Sequence, residues 1–446
     1  MNFYKYLADL IEHYKLSKNK LIKDTGIDRS SFFQFLKGTR KPTGQQLLKI
    51  IHAAGFTEEE KAHLHELYVK EKHGEETFRT WSMIREGIEA MDGSTPEEPA
   101  DTPVSRFFAQ VCEEAGNNRQ SADDAVLHFD LFLPISFYTQ ANITAAIGAL
   151  PRMYAGRISV RVIVVNFSDH DIPEHELVDV FLRSVLIYRE PRLDLKLYHY
   201  PGKYQRTDLP LIGYPFFALN SGSILMINDL SEDYKVLKDA DFLRQYADSF
   251  EEFLKKCSPL SYRSENEVNY AQYLQSALKS SDDELLYTLE FLPCVFSVAP
   301  LDMVDKYAPP VFKDFARAYV SAYQTDIHMK QYFSPEGMRV FRKDRMLYMA
   351  GPNVRLNEED TEKLCLLMRE KLGTQISCLD PSRFRISEQW CIASGRKALL
   401  FASYAQESVF VISLDPQICR TFYNYFSHLD EDGAELAAAA AEEMLR

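Results

Sequence analysis

The chain has 446 residues, 46% apolar and 13% aromatic, with a net charge of -14. At roughly 100 to 200 residues per domain that length divides into two to four folded units, too many for one ordinary core. The seven cysteines (Cys112, Cys257, Cys294, Cys365, Cys378, Cys391, Cys419) are scattered, odd in number and include no C-x-x-C pair, which argues against a disulfide framework and a structural zinc site. No run of about 18 apolar residues is present and residues 1–20 carry charges within their apolar part, so neither a membrane span nor a signal peptide is expected and a cytoplasmic protein is predicted.

Charge is unevenly distributed. Between Lys15 and Lys49 nine Lys or Arg face two acids, a local excess of seven positive charges, which leaves -21 for the rest. A basic run of this kind is either a solvated face or a small anion-binding head on an acidic body.

Residues 1–72 read as five short helices. Phe3, Leu7, Leu10, Ile11 and Tyr14 recur at helical spacing. Ser17 is placed to cap a second helix that Gly26 ends, and Asp28 to cap a third that Gly38 ends, with Phe32, Phe33 and Leu36 expected to face inward. Thr43 opens a fourth helix behind Pro42, closed by Gly55, and Thr57 opens a fifth whose Glu58, Glu59 and Glu60 suit its N-terminal dipole. A second and third helix joined through a glycine turn is a helix-turn-helix pattern.

The stretch LSKNKLIKDTGIDRSSFFQFLKGTRKPTGQQLLKIIHAAGF resembles the phage-repressor or XRE type of DNA-binding domain, a resemblance that covers residues 1 to about 68. It departs from that family at Ile22, where a small residue is usual. The resemblance implies that double-stranded DNA is the partner. It puts Lys18 at the start of helix two against phosphate or base, and Arg29, Ser30, Ser31 and Gln34 on the base-reading face. Arg suits guanine and Gln suits adenine. Lys37, Thr39, Arg40 and Lys41 follow the reading helix and suit backbone phosphates.

Residues 73–104 read as a helical neck and a linker. Phe78, Trp81, Ile84, Ile88 and Met91 recur at steps of 3, 3, 4 and 3, an apolar seam that packs either on the parent body or on a second copy. Paired half-sites, usual for repressor-type heads, point to the second copy and hence to a homodimer. DGSTPEEPADTP, 92–103, has three prolines and four acids and reads as linker.

The remainder, 105–262 and 263–446, reads as an α/β body of two similar halves. VLHFDLFLPISFY (126–138) and LLYTLEFLPCVFS (285–297) share an apolar strand ending in F-L-P; FFALNSGSILMI (216–227) and WCIASGRKALLF (390–401) both read as strand, Ser-Gly turn, strand. An aromatic helix follows in each half, DADFLRQYADSFEEFL and DPQICRTFYNYFSHL, so an internal duplication with a mostly parallel sheet is expected. In layout the body resembles the duplicated phospholipase D fold. That resemblance implies two hairpins facing each other across a seam between halves packed about a pseudo-twofold axis. The family's H-x-K-x-x-x-x-D motif is missing: Lys203 and Asp208 keep the K-D spacing in HYPGKYQRTD, but His199 is displaced and the second half has no counterpart. No catalytic residue is therefore assigned. DHDIPEHE (169–176) gathers His170, His175 and four carboxylates without a metal-ligand register, and no metal or cofactor is expected. Tyr198, Tyr200, Tyr204 and Tyr214 read as aromatic core or as the rim of a pocket.

The whole is read as a multidomain, non-enzymatic transcription regulator, with an all-α helix-turn-helix head and a body that senses a small-molecule effector or grips a partner. The competing readings are a phosphodiesterase-like hydrolase recruited to nucleic acid, and a DNA-tethered interaction scaffold.

Overall fold

The computed structural model describes residues 2–92, 98–117, 126–140, 142–166, 174–204, 216–228, 234–264, 285–292, 294–310, 313–325, 328–347, 354–381, 384–403, 409–431 and 441. Residues 93–97 of the linker, His170, Asp208 and Tyr214 lie outside these. The first five helices are α1 (Phe3–His13), α2 (Lys18–Thr25), α3 (Arg29–Leu36), α4 (Gly44–Ala54) and α5 (Glu58–His73). Their starts follow from side-chain caps. Ser17 Oγ accepts from the Lys20 amide at 3.3 Å and Asp28 Oδ1 from the Ser31 amide at 3.0 Å, while Thr43 with Gln46 and Thr57 with Glu60 form reciprocal capping boxes. Gly26 ends α2 at φ +66°, a left-handed conformation costly for any residue with a Cβ. Gly38 (φ +68°) also lies against the Tyr4 ring, where a Cβ would stand 3.0 Å from Cδ2. Phe3, Leu7, Ile11, Leu21, Phe32, Phe35, Leu47, Ile51, Leu64 and Tyr68 fill the space between these helices. Phe35, not Phe33 or Leu36, is the partner of Phe32 in that core, because residues three apart share a helix face.

The body opens with α7 (Pro103–Asn117), then β1 (Leu127–Pro134), α8 (Ile135–Gln140), α9 (Ile143–Met153), β2 (Ile158–Asn166), α10 (Glu174–Ile187), β3 (Leu193–Lys203), β4 (Phe216–Asn220), β5 (Ser223–Ile227), β6 (Tyr234–Leu237), α11 (Ala240–Leu254) and β7 (Ser258–Ser264). It continues with β8 (Leu286–Glu290), a 3-10 turn at Val295–Ser297, α12 (Leu301–Tyr307), α13 (Lys313–Thr325), β9 (Met329–Phe333), α14 (Pro335–Asp344), β10 (Met346–Leu347), β11 (Val354–Arg355), α15 (Glu358–Glu370), β12 (Ile376–Cys378), β13 (Trp390–Ser394), β14 (Leu399–Ser403), β15 (Val409–Ser413) and α16 (Pro416–Glu431). Among the described residues, thirteen strands form one sheet in the order β12-β9-β8-β13-β14-β15-β7-β3-β2-β1-β4-β5-β6. Within it β3-β2-β1-β4-β5-β6 and β12-β9-β8-β13-β14-β15 are the same order, third-second-first-fourth-fifth-sixth. In both, the first three strands are parallel and the last three antiparallel, so the sheet is mixed where a mostly parallel one is expected. The continuous apolar run of β2 reflects burial on both faces.

β7 joins the two sets: its residues 258–261 pair with β3 and 262–264 with β15. The division expected after residue 262 thus falls inside a strand. Followed strand by strand, β8 runs antiparallel to β1 while the left-to-right order is kept. One set is therefore carried onto the other by a half-turn about an axis across the strands plus a seven-strand translation. A closed twofold would set like edges together; here the sixth strand of one set meets β7 beside the third of the other. Hence the hairpin turns at Asn220–Gly222 and Ser394–Gly395 do not face each other. They point to opposite ends of the strands, with β15, β7, β3, β2 and β1 between the hairpins.

The neck helix α6 (Glu75–Ala90) follows Gly74, and its seam is occupied within the chain. Trp81, Ile84, Ile88 and Met91 are buried, Ile84 and Ile88 completely, against α10 and the end of α16. Trp81 packs on the His428 ring at 4.0 Å between centroids, with His73 at 4.7 Å and Tyr425 at 6.3 Å. Phe78 is half-buried under the Lys70 ammonium, 4.6 Å from its ring. The dimer seam drawn through these five residues is thereby corrected to an intrachain contact, since apolar side chains already removed from water have little left to gain from a second copy. Polar contacts fix the same helix: Glu76 with His175 of α10, Glu89 Oε1 accepting from the Arg385 amide at 3.2 Å, and Asp92 accepting from Ser387 Oγ (2.5 Å) and the Glu388 amide (2.6 Å).

Two outcomes follow from this lock. Ile88→Ala should lower stability by about 2–5 kcal/mol in denaturant melts while leaving the sedimentation coefficient of the folded fraction unchanged. The second concerns pH. His428 is pushed down to about 2, first by burial and then by the facing His73, with His65 and Lys72 further off. The unfolded chain binds a proton at His428 below pH ~6.5 that the folded chain refuses, so stability should fall as pH drops below that value, by up to about 1.4 kcal/mol per unit. His428→Phe should show a shallower loss between pH 7 and 5 in the same melts.

Candidate nucleic-acid interface

At 100° per residue, Arg29, Ser30, Gln34 and Lys37 fall within an arc of about 140° on α3, and all four are exposed. Ser31, Phe32 and Phe35 fall on the opposite side and are buried. The arrangement needs only the Asp28 cap, which fixes where the helix starts, and the Phe32–Phe35 face, which fixes its rotation. The Ser31 amide, donating to Asp28, holds that carboxyl below its usual range. Lys18 is exposed at the first position of α2.

Ser31 is therefore not on the exposed face that carries Arg29, Ser30 and Gln34. Its hydroxyl accepts instead from Arg40 Nη1 at 2.9 Å, so that the Arg40 guanidinium, 6.0 Å from the Phe35 ring, is held beside the start of α3. Thr39 Oγ1 donates to the Gln34 carbonyl at 3.3 Å, and Lys41 Nζ to the Glu71 carbonyl at 2.6 Å near the end of α5. Tyr68 Oη, bonded to the Pro42 carbonyl at 3.0 Å, pins the segment that carries them. Thr39, Arg40 and Lys41 are nonetheless exposed, on a segment whose path is set by these bonds.

One residue on this face escapes the sequence reading. Phe33, assigned to the core by its apolarity, lies between Arg29 and Lys37 on the exposed arc, half-buried, with the Arg29 guanidinium 5.8 Å from its ring. The angular position alone, read from Asp28 as cap, is the signal that separates it from Phe32 and Phe35. An aromatic edge flanked by cations can meet a thymine methyl while its neighbours meet phosphates and base edges.

In the body, His199 on β3 is buried with Nδ1 3.6 Å from Asp415 Oδ2, and Asp415 in turn caps α16 by accepting from the Gln417 and Ile418 amides at 3.0 Å. The second-half His428 is at the far end of α16 from Asp415, about 20 Å along the helix, so the two histidines are not brought together. His175, in the first turn of α10, is engaged by Glu76, and among the described residues no group of three His, Cys, Asp or Glu is placed to hold a metal ion. The seven cysteines form no disulfide. Among the described residues no helix is long and apolar enough to cross a membrane.

A scan against protein-family models and a search of the curated proteins return no match to this chain.

Proposed function

We propose that the chain is a sequence-specific, DNA-binding transcription regulator, with residues 1–72 as a helix-turn-helix head of the XRE type and the α/β body as its sensing or partner-binding part. The observation that carries this reading is the exposed arc of α3, where Arg29, Ser30, Gln34 and Lys37 share one face of a helix capped at its start, inside the one strongly basic stretch of an acidic chain. In this reading α3 lies in the major groove with Arg29 toward guanine. Lys18, Lys37, Thr39, Arg40 and Lys41 flank it along the phosphates, where each neutralised phosphate releases condensed counterions. The acidic body repels the polymer, so that binding is confined to the head.

We read the two identical strand orders as an internal duplication of one α/β unit; the hairpins of its two copies point to opposite strand ends, so the phospholipase D analogy does not extend to it. A second copy on paired half-sites would then have to associate through a surface other than the Trp81 seam.

The test compares two substitutions on selected and on random duplexes. Arg29→Ala should weaken binding to the selected site by about 1–3 kcal/mol and relax preference at one base pair. Lys41→Ala should weaken both duplexes alike and lower the salt slope by about one. Equal effects of both variants on both duplexes would refute the division of roles. A double-mutant cycle checks the second layer: Ser31→Ala should weaken binding only through Arg40, so Ser31→Ala with Arg40→Ala should bind no worse than Arg40→Ala alone.

A further inference from the structure

Strands β1 and β8 hold the same place in the two strand orders, yet their buried faces differ. On β1 and β2 the face turned from α11 carries Phe129, Leu131, Val160 and Val162, all at most 1% exposed. The matching positions on β8 and β9 are Thr288, Glu290, Gln331 and Phe333, by the shared F-L-P ending and by register, since Phe129 pairs with Val160 as Thr288 pairs with Gln331. Three polar side chains thus replace three apolar ones in the same setting.

Their bonding is incomplete. Gln331, wholly buried, donates through Nε2 to the Cys294 carbonyl at 3.3 Å, while its Oε1 accepts from no described residue. Thr288 Oγ1 lies 3.9 Å from the Met329 sulfur, and Thr288 and Gln331 both also hydrogen-bond the Glu290 carboxyl. Glu290 is half-buried beside both and, among the described residues, has no cation next to it; burial pushes its carboxyl up to about 7. Cys391 on β13 and Cys294 also face it, with the Cys391 thiol pushed well up by burial and then by Glu290, and so neutral. The buried Gln331 Oε1 is an uncompensated acceptor beside a carboxyl with no described cation, and such an acceptor costs free energy unless a donor occupies it.

We propose that Thr288, Glu290 and Gln331 bind the ammonium head of a small primary amine, whose three N–H donors match a hydroxyl, a carboxylate and an amide oxygen on adjacent strands. This is the effector site of the regulator only if the sensing role of the body holds; the binding chemistry does not depend on the DNA reading. The cation competes with the Glu290 proton, so binding should weaken as pH falls through about 7, by up to about tenfold per unit below it.

The experiment is a thermal-shift and calorimetric titration of the full chain, without DNA, using n-butylammonium chloride against n-butanol and tetramethylammonium chloride. Butylammonium alone should raise the melting temperature, by about 3 °C at a hundredfold excess over Kd, and more at pH 8 than at pH 6. Glu290→Gln should abolish the shift. Glu290→Leu, which puts on β8 the side chain β1 carries, should do the same and covers the case in which the first variant does not fold. No shift at either pH, an equal shift with butanol or tetramethylammonium, or a shift retained in the folded variant would overturn the site. None of these results bears on the head, and failure of DNA binding would leave the site standing.

Discussion

The packing of α6 against the body is the constraint on which the arrangement of the chain depends. One face of a 16-residue helix contributes Trp81, Ile84 and Ile88, joined by Met91, and each such side chain gains about 1.5–3 kcal/mol on leaving water, before the cost of ordering it. What they leave water for is shared: α10 comes before β7 and α16 after it. The polar bonds of Glu89 and Asp92 to residues 385–389 tie the end of the helix to the second strand set as well. Gly87 permits the close approach, since a Cβ there would meet Leu182 Cδ1 at 2.6 Å. A helix with any larger residue at that position would have to stand off from α10 or displace Leu182.

Because α5 ends at His73, inside the same aromatic cluster, the head is coupled to this joint and not simply tethered to it. Under the proposed function this matters. A ligand can shift a conformational equilibrium only through contacts that differ between states, and a helix wedged between two strand sets is an element whose seating changes when those sets move. His428 and Trp81 are where such a movement would reach the head.

Much of the head was legible in the sequence because its signals are local. Ser17, Asp28, Thr43 and Thr57 cap where they are expected, and Gly26, Gly38 and Gly55 take positive φ. The rotation of α3 was less legible: three phenylalanines in four residues satisfy more than one inward face, and only the fixed cap decides among them. Ser31 likewise reads as a reader by its type and is turned away by its angle. In the body the strand and helix alternation and the matched segments were visible. Their assembly was not, since β7 chooses neighbours 60 and 150 residues away in pairings that no local pattern encodes. The neck seam shows the same limit. Apolar spacing tells which face is buried and is silent on what buries it.

The central claim, that the head reads DNA sequence, is tested most directly by selection of duplexes from a random pool with the full-length chain, followed by binding to the winner over a salt series. The account predicts enrichment of one short motif, and an observed constant that falls linearly with the logarithm of salt concentration. A pool that stays random after selection, with binding no tighter to its survivors than to bulk DNA, would contradict it.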